Sequence, residues 1–339
     1  MDHVAIDLGA KKSQICVRSA DGRILEEKRW PTGELGTYLA GRPTSRVVVE
    51  TCAEAFCVAD AARRLGHEAR VVPATLVKTL GVGARRLKTD RRDARTLSEV
   101  SCRIDLPSVH IPKRESRDRK TMCGMREALV GARTKVINTV RGWLRSRGRR
   151  IERGGRGSFR QRVKAAWEGQ VPSYVERQLQ VIDVLNVQIK AADAELKSWV
   201  EADETCGRLM TVPGVGPLTA LRYVAALDDV TRFESAHQVE SYLGLVPGEY
   251  SSSERQQRLS ITKAGPRALR WVLVQAAWAL HMRCRKPEAL PLQLWSHRIE
   301  QRRGKRTAII ALARKLAGIL YALWRDGSVY DGSRGAKMI

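Results

Sequence analysis

His3-Val4-Ala5-Ile6-Asp7-Leu8-Gly9 reads as a short strand that ends in an acid, with a glycine turn beyond it. A second run, Val47-Val48-Val49-Glu50, is wholly apolar and also ends in an acid, as a strand buried on both faces would. Between them, Gln14 to Arg18 and Ile24 to Trp30 continue as strands joined by the turn residues Asp21 and Gly22. Ala53 to Leu65 carries helical spacing, and Ala69 to Val72 is a further strand stopped at Pro73. Asp90 to Arg103 reads as a helix with Thr89 at its N-cap. Three early hairpin strands followed by alternating helices and strands predict a mixed sheet with helices on its faces over residues 1–110.

The rest of the chain reads as helix. From Met122 to Leu144 apolar residues recur at steps of three and four, and a Gly- and Arg-rich break follows at Arg147 to Gly157. Val175, Leu179, Ile182, Leu185, Ile189, Ala192, Leu196 and Trp199 run close to heptad spacing, which predicts a coiled-coil-like region over 111–205. A stalk, an antiparallel hairpin, an oligomer seam and two helices packed on their own domain all fit that pattern. A helical domain is expected over 206–326, with helices at Ala268 to Cys284 and Thr307 to Trp324. The Gly- and Ser-rich tail 327–339 is expected to fray.

Among 339 residues, 61 Lys and Arg face 36 Asp and Glu, a formal net charge of +25. With 43% apolar residues this is no disordered basic tail, and nucleic acid is the first partner to consider. The charge is blocked: +5 over Met1 to His110, +14 over Ile111 to Lys164, −7 over Ala165 to Arg255 and +13 over Gln256 to Ile339. Two separate polyanion-binding surfaces are the expectation. Aromatics at 5% disfavour extensive base stacking, leaving phosphate contact and duplex shape. The most apolar stretch, Ala308 to Trp324, is broken by Arg314 and Lys315 and is not expected to cross a membrane. The strand at the N-terminus leaves no room for a signal peptide, and seven cysteines without a C-x-x-C pair argue against a zinc site and a disulfide framework. A soluble, cytoplasmic protein with reduced thiols is expected.

Four acids stand out by position. Asp7 and Glu50 end strands, and Asp90 and Asp93 share a face at the start of a helix. Singly, each also fits a solvated strand end or an acid complementing a helix dipole. Together at one sheet edge they would repel unless a cation held them, and oxygen ligands suit Mg²⁺ or Mn²⁺. Two such ions about 4 Å apart clamp both oxygens of a phosphodiester displacement.

Ile6-Asp7-Leu8-Gly9, Val48-Val49-Glu50 and Lys88-Thr89-Asp90-Arg91-Arg92-Asp93-Ala94 together resemble the DEDD-type insertion-sequence transposases, whose N-terminal domain is similar to the RuvC junction resolvase. The resemblance implies an RNase H-like fold, with Asp7, Glu50, Asp90 and Asp93 as its metal-binding tetrad. A second signature lies further on, in Tyr242-Leu243-Gly244-Leu245-Val246-Pro247, Ser251-Ser252-Ser253, Ile261-Thr262-Lys263-Ala264-Gly265 and Leu269-Arg270. It is similar to the C-terminal domain of the same family, which pairs a Gly-Leu-x-Pro stretch and a serine with a Thr-Lys-x-Gly segment. By that order Ser252 would be the nucleophile. Ser253 stands where the family has glycine, so Ser251 and Ser253 remain alternatives.

Arg255, Arg258, Lys263, Arg267 and Arg270 cluster around the serines and suit phosphate oxygens, as do Arg145, Arg147, Arg149 and Arg150 in the first basic block. Pro213-Gly214-Val215-Gly216 resembles the turn of a helix-hairpin-helix element, where Gly214 and Gly216 let a phosphate approach; a tight link between packed helices fits equally.

The family resemblance implies a bacterial, nucleoid-associated recombinase acting through a covalent phosphoserine, with the tetrad assisting from another subunit. It further implies donor and target DNA, a structured bridge RNA as guide, and a dimer or tetramer. A junction nuclease using water needs only the tetrad, and a non-catalytic nucleic-acid scaffold needs only the charge.

Overall fold

The computed structural model describes residues 1–79, 89–155, 157–252 and 255–333. Contacts divide the chain into two units, Met1–Pro112 and Lys113–Ile339. In the first, β1 (Asp2–Asp7), β2 (Lys12–Arg18), β3 (Ile24–Pro31), β4 (Ser45–Glu50) and β5 (Glu68–Val72) form one sheet in the order β3-β2-β1-β4-β5. β1 pairs antiparallel with β2, and β2 with β3; β4 runs parallel to β1, and β5 to β4. This mixed sheet fits an RNase H-like domain.

Strand alternation decides what each face meets. Val4 and Ile6 of β1, with Ile15, Val17, Val47 and Val49, pack beneath α1 (Leu35–Ala40) and α2 (Ala55–Arg64). The opposite face, with Ala5, Val48 and Val72, packs against Leu97 of α4 (Asp90–Arg103), which follows the short α3 (Ala74–Thr79) in sequence. Thr89 starts α4 as its residue type predicts, its hydroxyl accepting the Arg92 N–H at 3.4 Å.

In the second unit, α5 (Arg114–Arg145) and α7 (Ser173–Glu201) run antiparallel. Arg126 meets Asp193 at 2.7 Å and Arg133 meets Asn186 at 2.9 Å, while Leu144 shares a small core with Val175, Leu179 and α6 (Phe159–Ala166). Most of the heptad stripe of α7 is therefore buried within the chain; the hairpin arrangement holds, and these residues are not left for an oligomer seam. The larger core gathers α8 (Glu204–Leu209), α9 (Pro217–Leu227), α10 (Ala236–Tyr242), α11 (Arg267–Arg283), α12 (Leu290–Arg303) and α13 (Lys305–Asp326) around the nearly enclosed α9.

α13 is the one helix among the described residues long and apolar enough to cross a membrane, and half of that window is buried here in the core. The two charges in its middle are engaged: Arg314 binds Glu240, and Lys315 lies 4.4 Å from the Trp295 ring centre.

Two expectations need correction. Within the span expected to be helical, β6 (Pro247–Ser252) and β7 (Arg255–Ile261) pair as an antiparallel β-hairpin. The tail does not fray at residue 327: the Tyr330 N–H donates to the Thr211 hydroxyl at 2.9 Å and the Tyr330 ring packs on the core. One large aromatic side chain supplies the burial that the small residues around it do not. Residues 334–339 lie outside the described residues.

Candidate active site and nucleic-acid surfaces

Ile6 lies beside Val49 in the parallel β1–β4 pair, so Asp7 and Glu50, one residue on, end neighbouring strands about 4.8 Å apart. Ala5 and Val48 face α4, and two residues further along each strand Asp7 and Glu50 face the same way.

The direction of α4 brings in a third acid. His3 at the start of β1 bonds Ser101 near the helix end at 2.7 Å, and Arg18 bonds Ser98 at 3.0 Å. From His3 to Asp7 the strand rises about 13 Å. From Ser101 back to Asp93 the helix spans about 12 Å on the face that also carries Leu97. Asp93 therefore comes level with Asp7 over the strand ends, where it is only 7% exposed. Asp90, one turn nearer the helix start, is exposed at the rim. Four carboxylates on the ends of rigid elements offer only hard oxygen donors, which fit a divalent cation.

Sequence reasoning missed the clamp that orients this helix. Glu27 on β3 accepts from Arg91 at 2.8 Å and from Arg95, both on α4. Arg95 first, and Arg91 after it, hold the Glu27 carboxyl down at about 2. Within Glu26-Glu27-Lys28-Arg29 such an acid reads as one more solvated charge on an edge strand. The i, i+4 spacing of Arg91 and Arg95, which puts both on one helix face, was the available signal.

The second signature is a backbone clamp. Gly244 (φ 64°) and Gly265 (φ 69°) both adopt the left-handed region. A Cβ on Gly265 would overlap the Tyr242 carbonyl oxygen, and one on Gly244 would overlap the backbone of Ala264. The Lys263 N–H donates to the Gly244 carbonyl at 3.1 Å and the Thr262 N–H to the Val246 carbonyl at 3.0 Å. Both motif segments thus need glycine because they lie backbone against backbone. They fix the base of the β6–β7 hairpin, whose far end pairs Ser252 with Arg255 and Ser251 with Gln256. Ser253 lies outside the described residues.

The basic residues separate into groups. Arg270 donates through Nη1 to the carbonyls of Leu243 at 2.8 Å and Ala264 at 2.7 Å, so it braces the clamp. Lys263 and Arg267 are exposed beside it, and Arg255 and Arg258 lie on β7. At the end of α5, Arg145, Arg149 and Arg150 line a cleft of about 780 Å³ together with Arg141 and Arg153, which sequence reasoning did not single out. Arg147 instead lies 5.1 Å from the Trp143 ring centre, and Arg149 also pairs with Glu168 at 2.9 Å.

Gly214 (φ 85°) has a packing reason: a Cβ there would come within 2.9 Å of the Ala276 carbonyl oxygen on α11. Gly216, the N-cap of α9, has open space around it.

Comparison with known proteins bears on the whole of this arrangement. A transposase family model, DEDD_Tnp_IS110, matches residues 4–147, the span that holds the four acids and, of the arginine cleft, Arg141 and Arg145. A second, described as "Transposase IS116/IS110/IS902 family", matches residues 206–291, which hold the glycine clamp and the serine hairpin. The transposase for insertion sequence element IS1328 of Yersinia enterocolitica is 30% identical over 335 residues, 97% of this chain and 98% of that protein. The transposase for insertion sequence element IS1111A of Coxiella burnetii is 28% identical, over 96% of this chain and 90% of its own length. A probable family 20 transposase of Pseudomonas aeruginosa is 27% identical, over 97% and 98%. With acids, clamp and hairpin inside the matched segments and a relative aligned from end to end, the chain belongs to the IS110/IS116/IS902 family of insertion-sequence transposases.

Proposed function

We propose that this transposase cuts and rejoins DNA strands at the ends of its insertion element through a phosphoserine on Ser252, with Asp7, Glu50, Asp90 and Asp93 holding a divalent cation, Mg²⁺ or Mn²⁺. The observation that supports the reading is that Asp7 and Glu50 end adjacent parallel strands on the sheet face covered by α4, the helix that carries the buried Asp93. A cation bound there would neutralise charge developing on a phosphodiester oxygen.

The chain's own residues supply the rest. The Ser252 hydroxyl gives up its proton and its oxygen bonds to phosphorus, while the bond from phosphorus to the departing DNA oxygen breaks and that oxygen takes a proton. An incoming DNA hydroxyl reverses the step, freeing the serine. One phosphodiester is lost and one regained, so no nucleotide triphosphate is needed. The exposed Lys263 and Arg267 stand near the hairpin base to hold phosphate oxygens, and Ser251 and Ser253 are the alternative nucleophiles.

The two basic regions suit two polyanions, donor and target DNA on one side and a structured guide RNA on the other, in a homodimer or homotetramer. Incubation with Mg²⁺, element-end DNA and RNA recovered with the protein should yield a protein–DNA adduct that survives denaturation. Ser252→Ala should abolish the adduct. Cleavage without an adduct, unaffected by Ser252→Ala and lost with Asp7→Ala, would replace the phosphoserine with water as nucleophile.

A further inference from the structure

His281 on α11 and His297 and Glu300 on α12 bring their ligand atoms within 4.8 Å of one another. His281 Nε2 lies 2.9 Å and His297 Nδ1 lies 3.1 Å from the same oxygen, Glu300 Oε2. Around a tetrahedral ion with bonds near 2.0–2.1 Å, neighbouring ligand atoms stand about 3.3 Å apart. These two separations are close to that edge length, before any side chain adjusts.

The buried ring is held from its far side. The Ser296 hydroxyl lies 2.7 Å from His281 Nδ1 and also reaches the Gln293 carbonyl at 2.9 Å. The His281 side chain is fully buried, with Nε2 turned to the Glu300 carboxylate. A metal-ligating imidazole normally has its other ring nitrogen held by a hydrogen-bond partner in this way.

Access and need also agree. The His297 side chain is 48% exposed and that of Glu300 30%, which leaves one side open for entry and for a water ligand. α12 fully buries only Leu292 and Ser296, so it has little apolar anchorage of its own.

We propose that His281, His297 and Glu300 form a binding site for one divalent transition-metal ion, Zn²⁺ by its ligand chemistry, which staples α12 to α11. Two imidazoles and one carboxylate select against Mg²⁺, so the site is chemically distinct from the four acids of the first unit. The absence of paired cysteines had argued against zinc, but this site uses none.

The test uses the full-length chain carrying Asp7→Ala, which removes the competing carboxylate site. After dialysis against chelator, one equivalent of Zn²⁺ or Co²⁺ is added and free ion removed. About one ion should stay with each chain by elemental analysis, and Co²⁺ should give the intense visible bands of a tetrahedral centre. His297→Gln, at an exposed position, should lose both. Ser296→Ala should weaken Zn²⁺ binding about 10–100-fold. No retained ion in the parent chain, or equal retention by His297→Gln, would leave a hydrogen-bonded triad only and overturn the proposal.

Discussion

Gly265→Ala tests whether the two glycine segments really hold the hairpin base. At φ 69° an L-residue pays about 1–2 kcal/mol for the left-handed conformation. The new Cβ also falls closer than 3.0 Å to the Tyr242 carbonyl oxygen, a backbone atom that cannot swing aside as a side-chain tip could. Relieving such overpacking adds about 1–3 kcal/mol. The sum, about 2–5 kcal/mol, is a large part of the stability of an ordinary domain. For a unit of this size that corresponds to roughly 4–20 °C in Tm. Thermal unfolding followed by tryptophan fluorescence reports mainly on the second unit, where seven of the eight tryptophans lie. Gly124→Ala is the control: this glycine lies inside α5 with open space around its Cβ position, so alanine there should stabilise by about 0.5–1 kcal/mol. If Gly265→Ala melted within a degree of the parent, the backbone clamp would be wrong.

The clamp on α4 predicts a pH effect. The Glu27 carboxyl is held down at about 2, so its contribution is complete above the ordinary carboxylate range and fades as pH falls through about 2. Glu27→Gln should therefore flatten the loss of first-unit stability between about pH 4.5 and 2 in denaturant titrations, and parallel curves would argue against the ion pairs. Asp7→Asn should leave the far-ultraviolet circular dichroism unchanged while abolishing both strand transfer and any Mg²⁺-induced rise in Tm; retained strand transfer would remove Asp7 from the site. Replacing Arg145 and Arg150 by Gln should lower the slope of log K against log salt for duplex binding by about 0.9 per lost phosphate contact, and an unchanged slope would show that the cleft holds no phosphate.

The first unit was legible because its strands are short, apolar and bounded by turns, and because Asp7 and Glu50 each follow immediately on such a run. Asp90 and Asp93 were legible through the Thr89 cap, although it takes the His3–Ser101 and Arg18–Ser98 bonds to show which way the helix runs. The β6–β7 hairpin was not legible: Ser251, Ser252, Arg255, Gln256, Gln257 and Arg258 have no apolar alternation to mark a buried face. The brace made by Arg270 was not legible, because charge alone does not reveal two backbone carbonyls nearby. His281 and His297 gave no signal, since their spacing matches no local motif and only the packing of α11 on α12 joins them.

β1 meets β2 across a tight loop but meets β4 only after the long excursion through β3 and α1. The antiparallel meander can form from neighbouring residues as the chain emerges, whereas the parallel pair must wait for a longer closure. Asp7 is therefore in place early and acquires Glu50 only when β4 docks on β1. A half-folded chain lacks the paired carboxylates, so on the proposed mechanism the capacity to cut DNA arrives late. For a protein whose misplaced cleavage would damage its own genome, competence to react doubles as a certificate that folding is complete.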